Sequence, residues 1–495
     1  MRCLTLARAL GEHGLAASFV MREHAGHLAS LVEAQGFAVT LLPVAVNGHD
    51  VNGTSHASWL GASWEQDAND TVQALGPDPV EWLVVDHYAI DRRWEARLRS
   101  RVRRILVIDD LADRPHDCDL LLDQNLVASP WNRYRSRVAE GCAVLLGPAY
   151  ALLQPEYAAL HERAVPREGA VRRVLISFGG ADEDDLTARA LEALLSVGGP
   201  DVGIDVVVGP SNAHLAELRA KGAEHARVSI HHGLTSLADL LMHADVAIGG
   251  AGSTSWERLC LGVPSIMVAQ AENQRAIAEA LSEQKLAIWI GDEKSATTAR
   301  FAETLGDLIE HGLSAEWSRR CLATVDGRGT ERVCAALTGT DSTQLRARPA
   351  SFDDEALLLE WANDPVTRGN AFTEGTITSA EHHAWLENRL ADADGCRLFI
   401  VETSESVPIG QVRFDRLPGG WRLSYALAPA FRGRRLGRPL LEVAMGALAS
   451  CEPAGTLFAE VKPANAPSQR VLQSLGFAER RVGDVIEYRR ALGAT

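Results

Sequence analysis

The stretch 247–264, AIGGAGSTSWERLCLGVP, restricts the fold more than any other part of the chain. An apolar run stops at glycines and a row of small hydroxyls and then resumes at helical spacing, which predicts a strand, a tight loop and a helix N-terminus. Gly249, Gly250 and Gly252 permit backbone geometries that other residues resist, and Ser253, Thr254 and Ser255 leave amide donors facing outward. Such a loop suits an anion, above all a phosphate. An ordinary strand-to-helix turn has the same composition, so the rest of the chain must decide. Glu257, one turn into the helix, is an odd neighbour for a diphosphate unless it accepts hydrogen bonds from ribose hydroxyls.

The surrounding sequence alternates between strand and helix patterns. A helix over 4–13 is followed by a strand at 17–21, a helix at 27–35 and a strand at 38–43. EWLVVDH (81–87) and RILVIDD (104–110) read as buried strands that end in polar residues, where open α/β sheets place their ligands. Capping of the next helix is the plainer role for Asp109 and Asp110. LLLDQN (120–125) and VLLGPAYALLQPE (144–156) complete a first sheet, and a second series of strands follows at 173–178, 205–209, 228–232, 246–250 and 265–268. Two consecutive α/β layers with the phosphate-type loop on the second predict a GT-B-like two-domain nucleotide-sugar fold, with segments 1–157 and 158–338. Gly179 and Gly180, in SFGGAD, would let the backbone approach a ligand on the cleft floor. Asn273 and Gln274 offer amides to sugar hydroxyls or an acetamido group, although surface amides are common at helix starts. Because an α/β layer normally opens on a strand, a chain opening on a helix reads as N-terminally truncated, with its first strand missing.

Composition narrows the function. With 49 Lys and Arg against 65 Asp and Glu, the formal charge is -16, which disfavours nonspecific binding to nucleic acid or an anionic membrane. Small metabolites are the expected partners. The 8 cysteines are far apart and form no C-x-x-C pair, so neither a zinc site nor a disulfide framework is expected, and a cytoplasmic location fits. No apolar run approaches a membrane span, and the N-terminus does not read as a signal peptide.

Small polar residues at 339–344 predict a linker, and a new domain, 345–495, begins beyond it. Its outline is a strand, a helix over 379–391 and strands at 398–402, 408–414, 421–427 and 456–462. PAFRGRRLGRPLL (429–441) then places Arg432, Arg434, Arg435 and Arg438 with Gly433 and Gly437 where a strand gives way to a helix. Cations and backbone amides converge there, as an acyl-CoA pyrophosphate requires. Glu460 lies on the last of those strands, where an exposed glutamate is an ordinary surface residue.

The motifs MRCLTLARAL, WLVVDHYAID, LLLDQN, LLGPAYALL, SFGGAD and AGSTSWE, in this order, resemble the UDP-2,4-diacetamido-2,4,6-trideoxy-β-L-altropyranose hydrolases of pseudaminic acid biosynthesis over residues 1 to about 338. The resemblance implies metal-free hydrolysis of the nucleotide sugar to UDP and the free sugar. It would assign Gly252, Ser253, Thr254 and Ser255 to the diphosphate of UDP, Glu257 to the ribose, and Tyr88, Asn273 and Gln274 to the sugar, with Tyr88 the candidate catalytic residue there; Gly179 and Gly180 of the neighbouring loop would join the UDP site. The histidine serving that family's catalysis would fall two positions before Met1, and His87, His24 and His27 are the substitutes at hand.

The loop 432–437 resembles the R-x-x-G-x-G/A signature of GNAT acetyltransferases, and AEVKPANAPSQRVLQSLGF resembles their N-x-x-S segment ending in G-F. That resemblance implies acetyl-CoA as co-substrate, held by Leu427, Arg432, Gly433, Arg434, Arg435, Leu436, Gly437, Arg438, Asn465 and Ser468. Arg435 stands where the signature's first glycine is usual and would add a charge to the pyrophosphate. Leu472 stands where many relatives carry the tyrosine that protonates the departing thiolate, which leaves the acid unassigned between Tyr425 and solvent, while the resemblance makes Glu460 the candidate to take the amine proton. Arg368, Asn370 and His383 lie where relatives bind the acceptor.

The joint expectation is a bifunctional cytoplasmic enzyme that acetylates a UDP-4-amino sugar and then releases UDP from the product. An acetyltransferase carrying an inactive nucleotide-sugar-binding module and a protein N-acetyltransferase are the alternatives.

Overall fold

The computed structural model describes every residue except 45–55, 128–129, 140, 181, 210–211, 339–343, 374, 405, 453 and 493–495. Apart from Gln344, the expected linker therefore lies outside the described residues.

The chain opens on a helix, Arg2–Glu12, followed by β1 (Ser18–Arg22) and β2 (Ala38–Leu42), which pair in parallel as a small sheet of their own. Next come β3 (Val80–Val85), β4 (Val102–Ile108), β5 (Leu120–Asp123) and β6 (Ala143–Leu146), a parallel sheet in that order. The aliphatic run of β4 and the all-buried LLLD of β5 suit strands covered on both faces.

A six-stranded parallel sheet follows: β7 (Arg173–Ser177), β8 (Gly203–Val208), β9 (Val228–His232), β10 (Val246–Gly250), β11 (Ser265–Ala269) and β12 (Ala287–Asp292), in the order β12-β11-β10-β7-β8-β9. The sequence reading had not included β12, whose AIWIGD run is only partly buried. The chain leaves β7 toward β8 and β9, then returns to β7's other side with β10. The crevice beyond the C-terminal ends of β7 and β10 is thus the topological switch point, where open α/β sheets bind ligands.

The third sheet comprises β13 (Arg346–Pro349), β14 (Cys396–Glu402), β15 (Pro408–Leu417), β16 (Gly420–Leu427), β17 (Thr456–Val461), β18 (Ala478–Val482) and β19 (Val485–Ala491), in the order β13-β14-β15-β16-β17-β19-β18. All neighbours are antiparallel except β16 and β17, joined by the crossover helix Gly437–Cys451. These two pair only over Gly420–Arg422 with Thr456–Phe458 and then part. The two parallel α/β layers and the α+β unit expected from the sequence are all present.

The helix Gly329–Thr338 ends the second layer by returning to pack on Arg2–Glu12. One continuous apolar core runs from Leu6, Leu106 and Leu122 through Val333 and Leu337 to Trp361, Phe431 and Leu440. The first sheet, the closing helix and the third unit therefore share an interior.

Candidate functional site

At the switch point, glycine is required by close packing. A Cβ on Gly249 would lie 2.2 Å from the Ser177 carbonyl oxygen, and one on Gly209 would lie 2.4 and 2.3 Å from the carbonyl oxygens of Gly179 and Gly180. Gly179 has φ 87, so the turn after β7 needs the left-handed region. The loop 249–253 leads into the short helix Thr254–Cys260, where Ser253 is exposed and its hydroxyl makes no capping bond. Ser255 is buried and accepts from Arg258 Nη2 at 2.9 Å, while the same nitrogen donates to the Gly250 carbonyl at 2.7 Å. Burial lowers this guanidinium to about 10. Arg258 thus braces the loop from beneath with a positive charge, a role that local spacing had not suggested.

Glu257 accepts a hydrogen bond from the buried Tyr157 hydroxyl at 2.8 Å, and burial pushes its carboxyl up to about 7. Gln274 Oε1 accepts from the Gln270 amide at 3.0 Å, and its Nε2 would meet a Cβ on Gly252 at 3.5 Å. Gln274 therefore borders the glycine loop.

The cleft between the two parallel sheets is spanned at Tyr88. Its hydroxyl donates to Asp110 Oδ2 at 3.1 Å and accepts from Asn273 Nδ2 at 3.2 Å, so residues 185 positions apart meet. Burial and the adjacent Asp110 carboxylate raise the phenol well above its ordinary range. Arg2 bridges Asp86 at 2.6 Å and Asp110 at 3.6 Å. Burial opposes ionisation of Asp86, but Arg2 outweighs it and the carboxyl stays below the usual range. Asp110 acts here within the first layer, as the acceptor that orients the Tyr88 hydroxyl toward Asn273. His87 Nδ1 accepts from the Ala89 amide at 3.1 Å, and burial lowers its pKa.

In the third unit, Tyr425 lies on the part of β16 that has separated from β17. Its hydroxyl donates to Ser468 Oγ at 3.1 Å, and burial raises its pKa. Asn465 caps the helix Ala466–Ser474 through the Ser468 amide at 3.2 Å. Glu460 is exposed on β17, opposite Glu487 in register.

The arginines of the loop 432–438 have different partners. Arg432 pairs with Asp364 at 2.6 Å and donates to Thr367 and to the Leu427 carbonyl. Arg438 binds Glu442 and the Ser474 carbonyl. Arg434 donates to the carbonyls of Ala335 and Ala336. Arg435 is exposed and, among the described residues, has no hydrogen-bond or ion-pair partner, which leaves its charge available. It adopts φ 62 beside Gly433 at φ 72, and the left-handed region costs a non-glycine residue on the order of 1 kcal/mol. A Cβ on Gly437 would meet Val471 at 2.9 Å, so the loop and the helix Ala466–Ser474 approach closely.

At the C-terminal end of β17, a cavity of about 490 Å³ is lined by Phe372, Lys462, Pro463, Ala464, Asp484 and Val485. Lys462 Nζ ties this wall to the Gly369 carbonyl at 3.1 Å. Arg368 and Asn370 sit in the adjoining helix Pro365–Asn370, and His383 pairs with Glu355 at 3.0 Å. Elsewhere, Asp185, His214 and Glu217 bring ligand-type atoms within 4.8 Å of one another, although Glu217 is 80% exposed. Among the described residues, no helix is long and apolar enough to cross a membrane.

Residues 344–478 match the acetyltransferase (GNAT) domain family. The chain is 21% identical over 366 residues to an uncharacterized protein of Methanocaldococcus jannaschii, covering 71% of each. It is 26% identical over 218 residues to the UDP-2,4-diacetamido-2,4,6-trideoxy-beta-L-altropyranose hydrolase of Campylobacter jejuni, covering 43% of this chain and 76% of that protein. A further match, 26% identical over 209 residues, is the spore coat polysaccharide biosynthesis protein SpsG of Bacillus subtilis, with 41% of this chain and 61% of that protein covered. The chain thus joins an α/β half similar to the hydrolase and to SpsG to a segment that matches the GNAT domain model.

Proposed function

We propose that the chain is a bifunctional enzyme of nucleotide-sugar metabolism. Residues 345–495 transfer the acetyl group of acetyl-CoA to the amine of a UDP-linked 4-amino sugar. The preceding half, with segments 1–157 and 158–338, hydrolyses the UDP bond of the resulting UDP-2,4-diacetamido-2,4,6-trideoxy-β-L-altropyranose. The observation that carries this reading is a pair of nucleotide-type turns in one chain: the glycine loop at the β7/β10 switch point and the arginine loop beside the parted β16 and β17.

In the transfer step, the neutral amine attacks the thioester carbonyl and the thiolate departs. The backbone of β16 freed by its separation from β17 receives the acyl arm, Asn465 and Ser468 line the arm, and the loop 432–438 with Arg435 faces the pyrophosphate. Glu460 takes the amine proton through water, and Tyr425 gives its proton to the leaving thiolate. In the hydrolytic step, water attacks the anomeric carbon and UDP leaves. Gly179, Gly180, Gly252, Ser253, Thr254 and Ser255 surround the diphosphate, Glu257 the ribose, and Tyr88, Asn273 and Gln274 the sugar.

Incubation with acetyl-CoA and the UDP-4-amino sugar should release both CoA and UDP. Absence of both discards the proposal. CoA release without UDP release selects an acetyltransferase with a binding-only module, and acetylation of peptides but not amino sugars selects a protein N-acetyltransferase.

Glu257 supplies a pH test. Its folded pKa of about 7 exceeds the ordinary 4.5, so the folded chain holds this proton more tightly than the unfolded chain does. Stability therefore falls as pH rises from about 4.5 to about 7. Glu257→Gln should remove that slope and, at pH 8, leave the variant about 2 kcal/mol more stable than the wild type in urea unfolding. The ionised carboxylate is the better acceptor for ribose hydroxyls, so UDP affinity should rise about threefold to tenfold as pH passes through 7 and stay flat in the variant. A UDP affinity independent of pH in the wild type would remove Glu257 from the ribose.

A further inference from the structure

The last turn of Gly329–Thr338 exposes carbonyls that no amide within the helix can reach. Two other parts of the chain satisfy them. Trp82 Nε1, on β3, donates to Leu337 at 2.9 Å, and Arg434, from the arginine loop, donates to Ala335 at 3.2 Å and to Ala336. A guanidinium also complements the negative end of the helix dipole. Arg434 stands between the two left-handed residues Gly433 and Arg435, so fixing its side chain fixes the turn that aims the neighbouring amides. The turn just before it, Pro429–Phe431, lies against β6, the edge strand of the first sheet, and the Arg434 guanidinium covers the buried Phe431 ring at 5.6 Å. On the other flank, Arg432 is held by Asp364 and Thr367 within the third unit. The loop is therefore suspended between its own domain and the hydrolase-like half.

We propose that Arg434 is a positioning residue: its grip on the end of Gly329–Thr338 sets the geometry of the acetyl-CoA loop, so that acetyl-CoA binding and the seating of this helix form one coupled equilibrium. The proposal rests on the acetyl-CoA reading of the loop. Linkage makes the effect reciprocal, so CoA bound to the loop must also tighten the helix end in the other half.

The test uses the full chain, with CoA titrated calorimetrically, acetyl-CoA kinetics, and amide hydrogen exchange over 333–338. In the wild type, CoA should slow exchange at those amides. Arg434→Ala should raise the acetyl-CoA KM about tenfold, lower kcat by less than about threefold and abolish the CoA-dependent protection, and Arg434→Lys should recover part of the loss. Trp82→Phe removes a donor from the same helix end without altering the loop sequence, and should raise that KM about threefold. Wild-type KM and protection in Arg434→Ala overturn the proposal while leaving the acetyl-CoA reading intact. If Arg434→Ala fails to fold, a wild-type KM in Trp82→Phe overturns it. A wild-type chain that binds no CoA overturns the acetyl-CoA reading itself, and the proposal with it.

Discussion

Replacing Tyr425 by phenylalanine is expected to lower kcat for acetyl transfer about 100-fold while leaving the acetyl-CoA KM within about threefold. A departing thiolate needs a proton, and Tyr425 carries one beside the opening between β16 and β17. Burial raises its pKa, which keeps the phenol protonated at working pH, and its contact with Ser468 at 3.1 Å fixes the ring orientation. Phenylalanine preserves the ring and its packing, so the change isolates the hydroxyl. Thiol release measured at saturating substrate checks the result, and a kcat within threefold of wild type hands the role to solvent. Ser468→Ala, which frees the hydroxyl to rotate and also removes a group that lines the acyl arm, should cost about threefold in kcat and raise the acetyl-CoA KM.

The second large effect is structural. Gly249→Ala places a methyl group 2.2 Å from the Ser177 carbonyl oxygen and 2.6 Å from Arg258 Nη1. Since β10 and β7 are laddered neighbours, neither backbone can withdraw without breaking the sheet at the switch point. A stability loss of about 3 kcal/mol or more is expected, with UDP binding lost alongside it. Gly252→Ala is the control, because a Cβ there meets only Gln274 Nε2, at 3.5 Å. That variant should fold with wild-type stability and weaken UDP binding alone. Chemical unfolding and UDP titration of both variants separate scaffold from loop; equal stability for the two would refute the packing argument.

Features dictated by local pattern were readable in the sequence. The aliphatic runs of β4, β5, β10 and β11 announce strands buried on both faces. The helix Ser379–Ala391 was legible to the residue, and in the structure Thr378 and Glu381 close a capping box at its start. β12 escaped because its short run mixes buried and half-exposed positions and has no clean period. What was illegible depends on distance along the chain. The contact of Tyr88 with Asn273 spans 185 residues and that of Tyr157 with Glu257 spans 100, so no spacing rule could pair them. Asp110 reads equally well as a helix cap and in the structure accepts from Tyr88 at the end of the neighbouring strand. Arg434 followed a family signature, and no local pattern could show that the end of a helix 99 residues earlier would receive it.

The uninterrupted interior from Leu6 through Val333 to Phe431 bears on how the two halves could ever be inherited apart. Splitting the gene at the segment between them would leave each product with a raw apolar wound where the other had been, an aggregation hazard for both. Selection against such fragments would preserve the fusion whatever each half gains in activity from it.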